Sequence, residues 1–241
     1  MDQKKGKSRI RGIIILVLLA VMLVSGAMSI RSWMEDKRTR EEYERLAGLA
    51  RETTAQPSTE AVTEPGEPET EPYVSPINFE ELMRGNPDTI GWIRVPDTNI
   101  DYPIVQGEDN DFYLSHTFYK EENKCGSIFV EAENNDDFSD FNTFVYGHNM
   151  KDKSMFARLN EFREEETFWE NPQFYIYTPE GVRRYEVYSC YAAELGTESF
   201  RYQFGNEKDY AQWQADVKGK SLYDTGVEPK PARSTVTLMT C

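Results

Sequence analysis

The chain has 241 residues, enough for one full domain with a sizeable core and accessory segments. Its formal net charge of −15 at pH 7 is uneven: residues 1–51 carry 11 Lys/Arg against 6 Asp/Glu, which leaves −20 for residues 52–241. A strongly acidic main part repels phosphate backbones, so the composition argues against a nucleic-acid-binding protein.

Thiols and imidazoles are few and scattered. The chain has three cysteines and two histidines, with no CxxC pair and no metal-ligand spacing. We therefore expect neither a metal site nor a cofactor. A disulfide between Cys125 and Cys190 stays open, and it would leave the terminal Cys241 as an unpaired thiol.

An uncharged apolar run lies close to the N-terminus. Residues 12–30, GIIILVLLAVMLVSGAMSI, would form a helix about 28 Å long at about 1.5 Å per residue, close to the hydrocarbon thickness of a bilayer. Residues 1–11 form a basic tail before it, and acids dilute the positive charges after it. This pattern favours a single-pass cell-membrane protein with a cytoplasmic N-terminus and an extracellular main part. A cleaved signal peptide ending near Ser25–Ala27 is the alternative.

Two segments connect this anchor to the main part. Residues 31–52 are charged and helix-prone, which predicts a juxtamembrane helix. Residues 53–76 hold five prolines and five glutamates without a basic residue, so they cannot bury a core and should form an extended, solvated spacer. At about 3.1 Å per residue the spacer could reach about 75 Å. From Ile77 the composition is globular, and residues 77–241 are expected to form one domain.

The globular part consists mainly of short β-type runs between turn signals, which predict strands over 89–95, 100–106, 126–130, 142–147, 173–178, 183–193 and 234–241. Many short strands and few helices predict a mainly β fold, an antiparallel barrel or a sandwich, rather than βαβ repeats. Asn78, with Glu81 three residues on, is expected to cap a short helix. The helical patterns lie at 77–87, 154–162, 165–171 and 207–223.

A nucleophilic thiol needs a helper, commonly a histidine that is distant in sequence and close in space. Cys241 ends the last apolar run, TVTLMTC, and His148 follows the apolar run NTFVY where the predicted strand breaks into a turn. These two residues are the candidates for a site, although core packing of Cys241 stays open. His116 looks like a surface residue. Cys190 is typical of a core thiol, and Cys125 of a small turn residue.

Several motifs together resemble the sortases. TLMTC is similar to the sortase TLxTC signature, and YGHNM followed by SMF is similar to the region around the sortase histidine. GWIRVPDTNIDYPIVQ, NDFYLSHTFY, CGSIF and EKDYAQWQADV resemble the class B branch in particular. The resemblance runs from about Asn78 to Cys241.

This resemblance implies a cysteine transpeptidase on a sortase-type β-barrel with flanking helices. Such enzymes cut a C-terminal sorting motif of a secreted protein after Thr, form a thioacyl intermediate, and pass the acyl group to a cell-wall amine from a peptidoglycan precursor or a pilin. The resemblance implies that Cys241 is the nucleophile and His148 the general acid and base. The substrate-groove residues it implies are Asn110, Leu114, Tyr146 and Thr240.

Two departures from the family pattern stand out. Met239 occupies the variable position of TLxTC, where Ser is common. The family also uses an arginine on the strand after the cysteine, and the sequence stops at Cys241. Arg233 lies eight residues earlier, about 26 Å along one extended strand, beyond side-chain reach. We therefore expect an incomplete catalytic domain that lacks its last strand and has little or no transpeptidase activity. No other arginine is favoured by its context: Arg94, Arg183, Arg184, Arg201.

Two other function classes remain open. A cysteine hydrolase would cleave peptides without transfer, and an amine acceptor separates the two because only a transferase yields an amide. An inactive sortase-like surface binding domain would keep its function in a Cys241→Ala variant.

Overall fold

The computed structural model of the chain describes residues 2–51, 73–166, 172–194 and 196–240, and for residues 2–13 the backbone alone. The chain divides into two compact units, residues 1–44 and residues 45–241.

The first unit consists of a single long helix. Helix α1 spans Asp2–Arg51 and continues into the second unit. Every side chain from residue 14 to residue 30 is exposed, and nearly all are apolar. One helix of the described chain is thus long and apolar enough to cross a membrane, although a signal sequence near an N-terminus has the same length and composition. The spacer predicted at 53–76 falls outside the described residues except for 73–76, which are irregular.

Helix α2, Phe79–Gly85, follows that segment and confirms the predicted cap. The Asn78 side chain accepts a hydrogen bond from the Glu81 amide at 3.1 Å, which satisfies one of the free N–H groups of the first turn. The Asn78 amide in turn donates to the carbonyl of Ala50 at 3.1 Å. This bond ties the C-terminal end of α1 to the start of α2 within the second unit.

Among the residues that the structure describes, seven strands form one sheet that rolls into a nearly closed barrel with flanking helices, as predicted, and not a sandwich. The order of the strands across the sheet is β6-β5-β1-β2-β3-β4-β7. Alternating and fully apolar runs place their side chains in a common core, with Trp92, Ile104 and Val145 fully buried. The strands are β1 Thr89–Arg94, β2 Asp101–Val105, β3 Ile128–Val130, β4 Asn142–Tyr146, β5 Gln173–Tyr177, β6 Val182–Glu186 and β7 Thr235–Met239.

The expectation of an antiparallel sheet was wrong at two pairs. Strands β2 and β3 run parallel, and so do β4 and β7, whereas the other neighbouring pairs are antiparallel. A parallel pair needs a long crossover between its strands, and residues 106–127 and 147–234 supply these connections. In their described parts, the crossovers carry three short 3-10 helices and helix α3. These elements are Phe112–Leu114, Ala157–Arg163, Glu198–Phe200 and α3 Glu207–Gly219.

Helix α3 packs one aromatic face against the chain around it. Tyr210, Trp213 and Val217 are buried on this face. The predicted strand over residues 183–193 ends early, at Glu186, because its later part bonds to the end of α3 instead of to β5. Ser189 Oγ donates to the Val217 carbonyl at 2.8 Å, and the Leu222 amide donates to the Cys190 carbonyl at 2.8 Å. Cys190 is therefore half-buried in an irregular segment and not in a core strand.

Candidate active site

His148 lies two residues beyond the end of β4 and directly follows Gly147. A Cβ on Gly147 would lie 2.5 Å from Ile128 Cδ1 and 2.6 Å from Phe156 Cγ, so only glycine fits this position. The Gly147 amide donates to the Met239 carbonyl of β7 at 3.0 Å and fixes the strand end against its neighbour. The predicted strand break is confirmed, and the half-buried imidazole follows at the rim of the barrel.

The His148 ring is held by the backbone of a different segment. Its Nε2 lies 2.7 Å from the carbonyl oxygen of Leu114. A carbonyl oxygen only accepts, so Nε2 carries a proton, and in the neutral ring Nδ1 is left as the acceptor. The His148 carbonyl also accepts from the Phe156 amide at 3.1 Å, which closes the loop of residues 149–155 behind the ring.

The carbonyl that binds His148 depends on a close backbone approach. Leu114 ends the short 3-10 helix Phe112–Leu114, and Gly126 passes directly against it with φ +56°. A Cβ on Gly126 would lie 2.5 Å from the Tyr113 carbonyl oxygen and 2.8 Å from that of Leu114. Glycine at this position thus lets the loop support the imidazole.

Strand β7 leads towards the same rim as β4. The two strands are in parallel register from Asn142 with Thr235 to Tyr146 with Met239. Parallel neighbours end at the same edge of a sheet, and the next residue, Thr240, is half-buried with an Oγ1 that bonds to none of the described residues. Cys241 lies outside the described residues, so its nearness to His148 stays a prediction.

Two of the groove residues implied by the sequence converge on a carboxylate that the sequence did not single out. Tyr146 Oη donates to Glu131 Oε2 at 2.7 Å, and Asn110 Nδ2 donates to Glu131 Oε1. Burial raises the pKa of the Tyr146 phenol, and its bond to Glu131 raises that pKa further, so the hydroxyl keeps its proton and donates. The sequence feature that could have pointed to Glu131 is the position of an acidic residue directly after the apolar strand IFV.

Comparison with known proteins decides the family of this fold. The sortase domain matches residues 93–241. The chain is 37% identical to sortase B of Listeria monocytogenes over 166 residues, which is 68% of this chain and 66% of that protein's length. The structure of a Staphylococcus aureus sortase B–substrate complex matches this chain with a TM-score of 0.76 at 29% identity, and the match covers 86% of this chain and 90% of the chain in that structure. A Clostridium perfringens sortase B structure matches with a TM-score of 0.63 at 40% identity, and the match covers 68% of this chain and 90% of the chain in that structure.

This chain belongs to the sortase family. The relatives and structural neighbours place it in class B, as predicted from the motifs GWIRVPDTNIDYPIVQ, NDFYLSHTFY, CGSIF and EKDYAQWQADV. The flanking helices and the nearly closed barrel are those expected of a sortase.

The other thiols of this sortase lie in unreactive surroundings. Cys125 is buried, and its Sγ donates to the Gly126 carbonyl at 3.3 Å. Burial raises the pKa of the Cys190 thiol, which lowers its thiolate fraction at neutral pH. Neither surrounding favours a nucleophile, which leaves Cys241 as the candidate.

The remaining histidine and the arginines of this sortase have other contacts. His116 is partly exposed and stacks on Phe112 with ring centroids 4.0 Å apart. Arg94 forms an ion pair with Asp101 at 3.0 Å. Arg201 is paired with Asp209 and lies over the Phe204 ring. Within the described ranges, no cluster of three His, Cys, Asp or Glu residues is placed to hold a metal ion.

Proposed function

We propose that this sortase is a membrane-anchored cysteine transpeptidase with Cys241 as its nucleophile and His148 as its general acid and base. The observation that carries the proposal is the parallel register of β4 and β7. Tyr146 is paired with Met239, and the Gly147 amide bonds to the Met239 carbonyl. His148 follows Tyr146 by two positions, and Cys241 follows Met239 by two positions.

The proposed reaction has two acyl transfers that balance. The Cys241 thiolate attacks the carbonyl carbon of Thr in the sorting motif, a C–S bond forms, and the C–N bond breaks as the imidazolium protonates the leaving amine. An amine of the cell wall then attacks the thioester carbonyl, the neutral imidazole takes its proton, and the thiolate leaves. Because Nε2 of His148 is held by Leu114, Nδ1 is the nitrogen that exchanges protons with the substrates.

The substrate groove in this proposal lies beside the histidine. Tyr146 ends β4 and Asn110 lies just before the 3-10 helix Phe112–Leu114. The Leu114 side chain is 39% exposed, so it offers an apolar contact at the surface, while its carbonyl holds the imidazole. Thr240 directly precedes the nucleophile, and its buried Oγ1, which bonds to none of the described residues, is the remaining hydrogen-bonding group of the proposed groove.

The proposed location is the outer face of a cell membrane. The exposed apolar stretch of α1, residues 14–30, fits a bilayer in length, and the basic tail before it favours a cytoplasmic N-terminus. The partners are secreted proteins that carry a sorting motif, and amines of the wall.

A single-turnover experiment tests this function without requiring rapid catalysis. The full chain in detergent micelles is incubated with a pooled peptide library in which one Thr is fixed, and intact-protein mass spectrometry searches for an acyl adduct. We expect an adduct on Cys241 that forms slowly, in keeping with the little activity expected of this chain, that triglycine converts slowly to an amide product, and that Cys241→Ala abolishes. Release of the free acid alone, with triglycine present, would favour the hydrolase. No adduct on Cys241 from any peptide would overturn the proposal.

A further inference from the structure

Glu131 is a buried carboxylate that bonds to two segments of the candidate site at once. The residue is 7% exposed, and a charge removed from water in this way requires hydrogen-bond donors. One carboxylate oxygen accepts from Asn110 and the other accepts from Tyr146 at 2.7 Å. Both oxygens are therefore occupied by protein donors.

The backbone of Glu131 is fixed as firmly as its side chain. Its amide donates to the Phe144 carbonyl of β4 at 3.0 Å, which continues the pairing of β3 with β4. Its carbonyl accepts from Gln106 Nε2 at 3.0 Å. The carboxylate thus projects from a rigid part of the sheet.

The two donors belong to the segments that surround His148. Tyr146 is two residues before His148 on β4. Asn110 lies four residues before Leu114, whose carbonyl binds the imidazole, and its Oδ1 accepts from the Ala132 amide at 2.8 Å. Glu131 therefore joins the strand that carries the histidine to the loop that orients it.

We propose that Glu131 is a positioning residue that clamps Asn110 and Tyr146 and holds the peptide groove in its binding conformation. Each carboxylate oxygen already accepts from a protein donor, so in this proposal the carboxylate acts on the substrate through these two side chains. The proposal deepens the proposed function and rests on it for the identity of the bound peptide.

Glu131→Gln is the primary test because it keeps the size of the side chain and replaces one acceptor oxygen by a donor group. One of the two donors then faces an NH₂ group and loses its partner. Glu133→Gln is the matched control, since Glu133 is on the same segment and accepts from Tyr202 Oη at 2.7 Å instead of from the groove residues.

The first readout is peptide affinity, measured by fluorescence polarisation with the full chain in detergent and the peptide from the library that binds the wild type best. We expect Glu131→Gln to weaken binding by about tenfold or more, as the loss of a charge-assisted hydrogen bond implies, while Glu133→Gln binds like the wild type. In a Glu131→Gln background, Tyr146→Phe should have little additional effect. Unchanged affinity in Glu131→Gln, or fully additive losses in the double variant, would overturn the proposal.

The second readout does not depend on substrate. In protein labelled with ¹³C at the tyrosine ζ carbon, the Tyr146 signal is assigned from its loss in Tyr146→Phe. We expect Glu131→Gln to move this signal and Glu133→Gln to leave it in place. An unmoved signal would overturn the clamp, whereas a moved signal in a protein that binds no peptide would support the clamp and reject the proposed function.

Should Glu131→Gln fail to fold, as judged by circular dichroism, the clamp is tested from its donors. Tyr146→Phe and Asn110→Ser each remove one bond to the carboxylate, and we expect both to weaken peptide binding. In the labelled protein, Asn110→Ser should also move the Tyr146 signal through the shared carboxylate. A Tyr146 signal that does not respond to Asn110→Ser would overturn the proposal.

Discussion

The Nε2 of His148 lies 2.7 Å from the carbonyl oxygen of Leu114, 34 residues earlier in the chain. This bond selects the tautomer of the imidazole and directs Nδ1 away from Leu114. It also makes the histidine dependent on a loop that itself depends on Gly126. Substitutions in that loop should therefore affect the imidazole without touching it.

We predict that Gly126→Ala destabilises the fold and disturbs His148. The residue has φ +56°, and the new Cβ would lie 2.5 Å from the Tyr113 carbonyl oxygen, so the loop must shift. Strained backbone of this kind costs about 1–3 kcal/mol. Urea unfolding measures the loss, and the His148 ring resonances in NMR report the displaced carbonyl. Gly181→Ala is the control, because its Cβ would meet no atom within 4 Å, and equal losses in both variants would contradict the prediction.

Gly147→Ala should be destabilising for a different reason. The added methyl would lie 2.6 Å from the Phe156 ring, and forcing an extra carbon into a packed core costs about 1–3 kcal/mol. Thermal unfolding followed by circular dichroism should show a clear decrease in Tm. Gly219→Ala, where the methyl meets open space, should leave Tm unchanged or raise it. A Gly147→Ala protein as stable as the wild type would show that the rim of the barrel is looser than described.

Tyr102 should make the free energy of unfolding depend on pH in the alkaline range. Its hydroxyl accepts from the Met155 amide at 3.1 Å, at the neck of the loop after His148, and burial raises its pKa to about 12. Because the folded protein holds this proton more tightly than the unfolded chain, the contribution of the phenol to the free energy of unfolding is fully present below about pH 10. It is lost as the pH rises towards about 12. Tyr102→Phe removes this contribution, so its free energy of unfolding should fall less steeply from pH 10 to 11.

Tyr102→Phe also has a cost at neutral pH. It leaves the Met155 amide without its acceptor, and a buried unpaired donor costs about 1–3 kcal/mol. Urea titrations at pH 7 and at several alkaline values separate the two effects. A variant with the same pH slope as the wild type would contradict the role of this phenol.

The three cysteines should differ in their reaction with iodoacetamide at pH 7. Cys125 is buried, and the raised pKa of Cys190 keeps its thiol protonated. We expect Cys241 to be alkylated first and the other two cysteines to be labelled only after unfolding in urea. Peptide mapping by mass spectrometry identifies which cysteine carries the label. Labelling of Cys190 at the rate of Cys241 would contradict this assignment.

Local sequence signals predicted much of this fold. Apolar runs bounded by turns located all seven strands, and the Asn78 cap was found from its spacing to Glu81. The parallel pairing of β4 with β7 could not be derived in the same way, because it joins residues about 90 positions apart and leaves no local mark.

In the candidate site too, the residues with a local sequence signal were predicted and those brought together only by the fold were missed. His148 was identified from the strand break at Gly147, and the sortase motifs pointed to Tyr146 and Asn110. Glu131 was missed because an acid after a strand is ordinarily a solvated turn residue, and only the fold buries it between two donors. The support of Leu114 by Gly126 was also missed, since a glycine by itself does not indicate which backbone it approaches.

The account depends most on one distance, between the positions of His148 and Cys241, and a disulfide measures it directly. The full chain carrying His148→Cys is oxidised in detergent with copper phenanthroline and mapped by mass spectrometry, with Asn149→Cys as the control. A disulfide needs Cα atoms within about 7 Å. We predict a rapid bond from the new thiol at position 148 to Cys241 and slow or no bonding from position 149. Failure to bond at position 148, with the protein folded, would contradict a thiol–imidazole site at the end of β4 and β7.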